Sequence, residues 1–143
     1  MKRLIYILNF VLIFGCTSAS VVEEEQQVTE VLDKTVRIEV LTAQENDAIY
    51  ITYYQYETND TNWQQYFFTY DAQGNAEPIV INFEDYDFRY IEGEVYRNNT
   101  ITSELFLKIY VDNELVVDES DTGDGTDFVN IKFNYDILKE ENI

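Results

Sequence analysis

A chain of 143 residues has room for one domain with a substantial core. Its 28 acidic residues against nine basic ones give a net charge of −19, which repels nucleic-acid phosphates and anionic head groups, so nucleic acid is excluded as a partner. There is no histidine, and the single cysteine, Cys16, sits near the N-terminus. The domain that follows therefore lacks the commonest general base and metal ligand, and it has neither a thiol nucleophile nor a disulfide.

The chain begins with the basic Met1-Lys2-Arg3 and a short apolar run from Leu4 to Phe14, too short to span a bilayer comfortably. Ile13-Phe14-Gly15-Cys16 closes that run and resembles the lipobox of a bacterial lipoprotein signal. The resemblance implies cleavage after Gly15 and lipid attachment to the Cys16 thiol, with residues 1–15 as signal peptide. Residues 16–33, with Glu23-Glu24-Glu25, read as an acidic tether. An acidic run so close to the lipidated cysteine resembles the export signal of Bacteroidetes-type surface lipoproteins. The expected location is the outer membrane or cell surface, facing either the periplasm or the exterior, with the bilayer contacted through the Cys16 anchor.

From Lys34 onward apolar and polar residues alternate with the period of a strand. Val36, Ile38 and Val40 form one aliphatic face; Ile49, Ile51 and Tyr53 form the next, after a turn at residues 44–47. Residues 58–62 read as a loop and Gln65 to Tyr70 as a third strand, followed by a strand at Ile79 to Phe83 placed at a sheet edge by Pro78. Phe88 to Tyr96 is the next, with Gly93 as a candidate bulge. Leu105, Leu107, Ile109 and Val111 then alternate into a tight turn at Asp112-Asn113, and Leu115 and Val117 continue the aliphatic face on the returning strand. After a loop at residues 120–126, Val129, Ile131, Phe133 and Tyr135 make the last strand, and residues 138–143 read as a fraying polar tail. Seven or eight short strands over residues 34–137 predict an all-β, immunoglobulin-like antiparallel sandwich, with a small closed barrel as the alternative. Its core should hold Val36, Ile38, Ile49, Ile51, Leu107, Ile109, Val129 and Ile131.

Val36-Arg37-Ile38-Glu39-Val40, Ile49-Tyr50-Ile51-Thr52-Tyr53 and the run Leu107 to Val116 together resemble the strand pattern of the MmpS-type family. Asn113 stands where that family usually has a turn glycine, and the stretch from Thr58 to Asn75 is longer and more aromatic. The resemblance implies a small sandwich serving as an accessory subunit of an RND-type exporter.

Two constellations bear on function. Tyr50 and Tyr54 should share the strand face opposite Ile49 and Ile51, and Phe106 and Tyr110 the face opposite Leu107 and Ile109. An exposed aromatic strip of this kind suits sugar rings or a partner protein, while cross-strand packing that merely shields the sheet is the simpler reading. The acidic, glycine-containing loop of residues 118–127 has oxygen ligands of the type calcium takes, but no EF-hand spacing, and an ordinary turn is the simpler reading there too. The expected function is a non-enzymatic, membrane-anchored module that contacts an envelope protein or its cargo and needs no cofactor or metal. A carbohydrate-binding surface lipoprotein and a glycan hydrolase using two carboxylates are the alternatives.

Overall fold

The computed structural model describes residues 32–42, 44 and 47–143; the expected signal segment, Cys16 and the tether as far as residue 31 lie outside these described residues. The alternating stretches fold as strands: β1 (Lys34–Thr42), β2 (Ala48–Gln55), β3 (Asp60–Phe67), β4 (Ile79–Tyr86), β5 (Tyr90–Tyr96), β6 (Glu104–Val111), β7 (Glu114–Thr122), β8 (Asn130–Asp136) and the two-residue β9 (Glu141–Asn142). They form two sheets, ordered β4-β1-β6-β7 and β3-β2-β5-β8-β9, with every pairing antiparallel. The protein is an all-β sandwich of two open sheets, and the closed barrel is not the architecture.

Part of the strand order is that of an immunoglobulin sandwich. β1 and β4 pair as strands B and E do, and β2, β5 and β8 follow one another as C, F and G do. The place beside B that strand A would take is held instead by β6, through a β6–β7 hairpin inserted between the equivalents of F and G.

Both sheets turn their aliphatic faces inward. All eight expected core residues are buried, joined by Val40, Val95, Leu105, Val117, Phe133 and Tyr135 among others. This follows from the period of two: each strand carries its aliphatic set on one side, and only one sheet-on-sheet arrangement removes both sets from water. Leu32, at the end of the expected tether, also packs against this core.

The tight turn at Asp112-Asn113 has the geometry its residues suit. Both central positions take positive φ, 50° and 69°, as a two-residue hairpin of the primed type requires. The Asp112 carboxylate accepts from Lys34 Nζ at 2.7 Å and from the Thr35 N–H at 3.0 Å, which ties the hairpin tip to the start of β1. That bond to Lys34, followed by the one from Thr35, holds the Asp112 carboxyl below its ordinary value.

Several boundaries differ from the sequence reading. Leu115 is not on the aliphatic face: Ile109 pairs with Val117 but Tyr110 pairs with Leu115, so Val116 is an extra residue. This bulge flips the side-chain alternation, and Leu115 is exposed. β3 starts at Asp60 and ends at Phe67, so residues 60–62 belong to the strand and not to a loop. β7 likewise runs to Thr122, into the expected loop. Gly93 is not a bulge, because β5 keeps unbroken register with both β2 and β8 there. It is required by close approach: a Cβ would lie 2.1 Å from the Thr52 carbonyl oxygen and 2.7 Å from the Phe133 ring, which fills the space glycine leaves. The C-terminal tail does not fray freely; Glu141 and Asn142 pair with Asp136 and Tyr135, and the Ile143 N–H donates to the Asn134 carbonyl at 2.7 Å.

At one end of the sandwich sits a buried ion pair. Arg97 has no exposed surface, and its Nε and Nη2 meet the Asp47 carboxylate at 2.9 and 2.8 Å. Nη2 also donates to Thr42 Oγ1 at 3.0 Å and Nη1 to the Ser103 carbonyl at 2.8 Å. The second Asp47 oxygen accepts from the Ala48 N–H at 2.9 Å. One guanidinium thus gathers the end of β1, the start of β2 and the β5–β6 connection.

Candidate functional site

The outer face of the five-stranded sheet can be laid out from its register. Gln65, Tyr50, Tyr96 and Asn130 lie in one row across β3, β2, β5 and β8; Trp63, Thr52, Glu94 and Lys132 lie in the next. Below them, Thr61 stands opposite Tyr54, and Glu92 opposite Asn134. These residues face outward because Ile49, Ile51, Val95, Ile131 and Phe133, one position away on β2, β5 and β8, face the core, and on β3 Tyr66, between Gln65 and Phe67, packs against it.

On this face three rings come together. Tyr50 lies 5.0 Å from Trp63, centroid to centroid, with planes 24° apart, and 5.1 Å from Tyr96 with planes 13° apart. The Trp63 indole N–H donates to the Tyr96 hydroxyl at 2.8 Å, which fixes the indole in the cluster. Even so packed, Trp63 keeps 59% of its surface exposed, and Phe67, on the same face of β3, keeps 69%. Rings fixed by neighbours lose little freedom when a ligand covers them, so the exposed indole is a prepared stacking surface.

A shallow, open groove of about 470 Å³ lies on the same face, lined by Tyr54, Thr61, Glu92, Lys132, Asn134 and Ile143 among others. Its lining brings hydroxyl, carboxylate, ammonium and amide groups from four neighbouring strands onto one surface. The Tyr54 hydroxyl donates to Asn59 Oδ1, and its ring packs edge-on against Tyr56, so its orientation is set. Glu92 accepts from the Tyr56 hydroxyl at 3.0 Å, and Glu94 from Asn130 Nδ2 at 3.1 Å. Asn134, which lines the groove, has an Oδ1 that is buried without a hydrogen-bond partner.

The four aromatic residues expected from the sequence are therefore divided. Tyr50 and Tyr54 lie on the outer face of the five-stranded sheet, whereas Phe106 and Tyr110 lie on β6, on the opposite side of the sandwich. They do not form one strip, because β2 and β6 belong to different sheets. Phe106 and Tyr110 instead share a smaller depression of about 310 Å³ with Glu39, Leu41, Pro78 and Lys108. The Arg37 guanidinium lies 4.0 Å above the Tyr110 ring, which occupies one ring face with a cation.

Sequence reasoning misses Trp63, Tyr96 and Phe67. A strand begun at Gln65 leaves Trp63 next to a loop, with its face undefined. The signal is present all the same: Thr61, Trp63, Gln65 and Phe67 follow each other at the strand period.

The acidic loop resolves into a capped turn. Asp124 accepts from the Asp127 N–H at 2.9 Å and from the Thr126 hydroxyl and N–H at 2.7 Å each. These bonds, led by the one from Asp127, hold its carboxyl down to about 2. Asp118, Glu119 and Asp121 lie upstream on β7 rather than in the turn. Among the described residues no group of three or more acidic, histidine or cysteine side chains is placed to hold a metal ion.

The chain matches no known family model, no curated protein and no solved structure.

Proposed function

We propose that the protein is a non-enzymatic, membrane-anchored lipoprotein of the cell envelope that binds a neutral sugar chain across the outer face of its five-stranded sheet. The observation that carries this reading is the exposed Trp63 indole, fixed against Tyr50 and Tyr96 beside a groove lined with hydroxyl, carboxylate and amide groups. A sugar ring presents an apolar C–H face that stacks on an aromatic ring and a rim of hydroxyls that need donors and acceptors. The ring cluster offers the first kind of contact, and Glu92, Lys132 and Asn134 the second. The preference for a neutral chain follows from charge: a protein with net charge −19 disfavours sulfated or uronic-acid polymers over long range.

The role of exporter accessory subunit that the MmpS-like strand pattern implies stands as a second reading. Its support is the pattern itself on β1, β2 and the β6–β7 hairpin. Its buried members, Val36, Ile38, Val40, Ile49, Ile51, Leu107, Ile109 and Val111, are core positions and speak for the sandwich more than for a transporter. Contact with an envelope protein or its cargo is compatible with sugar binding, since the groove occupies only one of the two outer faces.

Membrane attachment rests on the lipobox-like Ile13-Phe14-Gly15-Cys16. Metabolic labelling with a fatty-acid analogue should tag the wild type and spare Cys16→Ala. Equal labelling of both would remove the anchor from this account.

The sugar site is tested by affinity electrophoresis against a panel of neutral and acidic polysaccharides. Retardation by at least one neutral polymer is expected. Trp63→Ala should weaken it by about 10-fold, corresponding to roughly 1.4 kcal/mol for a stacked ring. Tyr110→Ala, on the opposite face, should leave it unchanged. Equal loss in both variants, or release of reducing ends from the bound polymer, would overturn the proposal.

A further inference from the structure

β3 forms an open edge of its sheet. It is eight residues long, and β2 is its only partner among the described residues. The Thr61 N–H donates to the Asp60 carboxylate at 2.7 Å, while the Phe68 N–H is directed inward to the Asp47 carbonyl. In an antiparallel strand alternate residues turn their N–H and C=O to the same side. Trp63, Gln65 and Phe67 therefore aim theirs outward with Thr61.

Natural sheets blunt such edges with charge, proline or a bulge. The other long edges of this molecule are blunted. β4 follows Pro78 and carries Glu84 and Asp85 near its end, the latter at φ 58°, and β7 carries Glu114, Asp118, Glu119 and Asp121. β3 is not blunted: residues 61–70 contain no charge at all, in a chain whose net charge is −19. An acidic molecule has one long edge where a second copy can approach without acid meeting acid.

We infer that β3 pairs with β3 of a second copy, antiparallel about a two-fold axis at Gln65, so that the two five-stranded sheets become one. This register is self-complementary. With Gln65 opposite its counterpart, Trp63 stands opposite Phe67 of the partner subunit, and Phe67 opposite Trp63 of the partner subunit. Trp63, Gln65 and Phe67 share the outer face, so the opposed rings lie side by side at about 5 Å between Cβ atoms. The pairing covers the exposed Phe67 and one edge of Trp63, and each outward N–H and C=O of the three residues finds a partner. Asp60, the only acid of the strand, falls opposite Tyr70 of the partner subunit, beyond the strand end, and meets no like charge. The contact is narrow compared with a standard interface, so the dimer is a concentration-dependent one. It does not rest on the sugar reading, because it depends on the backbone edge and not on the Tyr50 and Tyr96 rings.

The test uses the full chain with Cys16→Ala, which removes the only native thiol and the lipidation site. In sedimentation equilibrium its mass should rise with concentration from 16.9 kDa toward twice that value. Gln65→Pro deletes an outward N–H and no bond to β2, so it should stay monomeric at every concentration with an unchanged thermal midpoint. Independently, Gln65→Cys should form a disulfide-linked dimer on mild oxidation, since the position faces its own counterpart, whereas Glu119→Cys on the acidic β7 edge should not. If Gln65→Pro proves unfolded, the two cysteine variants decide. A chain monomeric throughout, a folded Gln65→Pro that still dimerises, or equal cross-linking at positions 65 and 119 would overturn the inference.

Discussion

Replacing Arg97 by methionine is expected to cost the fold about 3–5 kcal/mol. The side chain is wholly buried, and its Nε and Nη2 are the cation facing Asp47, whose own side chain is equally hidden. Methionine fills much of the volume but leaves the Asp47 carboxylate without a counter-ion and the Ser103 carbonyl without its 2.8 Å donor. A buried carboxylate with no counter-ion costs more than the apolar packing that methionine adds, and a domain of this size has only about 5–15 kcal/mol of stability in all. Urea unfolding should show the loss as a lower midpoint at unchanged slope. Adding Asp47→Leu to Arg97→Met removes the stranded charge and should recover a large part of it. A single-variant loss under about 1 kcal/mol would mean that water reaches the pair after all.

Ile109→Ala should cost about 2–5 kcal/mol, while Lys108→Ala, one position away, should stay within about 0.5 kcal/mol. β6 lies between β1 and β7, and Ile109 is fully buried opposite Ile38 and Val117, so truncation opens a cavity where two sheets meet. Lys108 points outward between Glu39 and Asp118, and its ammonium is 3.9 Å from the Asp118 carboxylate, partly in water. A surface pair of that kind contributes little. Similar costs for the two variants would show that β6 is turned the other way.

The aliphatic alternation is enough to read the two-sheet sandwich and every one of its eight expected core positions. One period, one buried face and no helical pattern leave few arrangements. What escapes depends on partners remote in sequence. Val116 is a bulge only because of how β7 meets β6, so the misplacement of Leu115 has no local warning. Gly93 looks like a bulge residue, and only the Phe133 ring lying over it gives the actual cause. Asp47 looks like a turn residue; its pairing with Arg97, fifty positions on, comes from the fold. The candidate site is half legible. Tyr50 and Tyr54 belong on an outer face as expected, but strand alternation does not say which sheet a face belongs to, and so it groups Phe106 and Tyr110 with them across the sandwich. The residues that make the ring cluster, Trp63 and Tyr96, come from the two strands flanking β2, a relation that only the register reveals.

Trp63 is the only tryptophan in the chain, and this makes the proposed site its own reporter. Fluorescence titration with an oligosaccharide cut from whichever neutral polymer retards the protein tests the account most directly. Stacking a sugar on the exposed indole should shift its emission to shorter wavelength and saturate at the affinity measured by electrophoresis. The shift should be absent for an acidic polymer of the same length. A polymer that binds while the Trp63 emission stays fixed would place recognition elsewhere on the molecule and contradict the account.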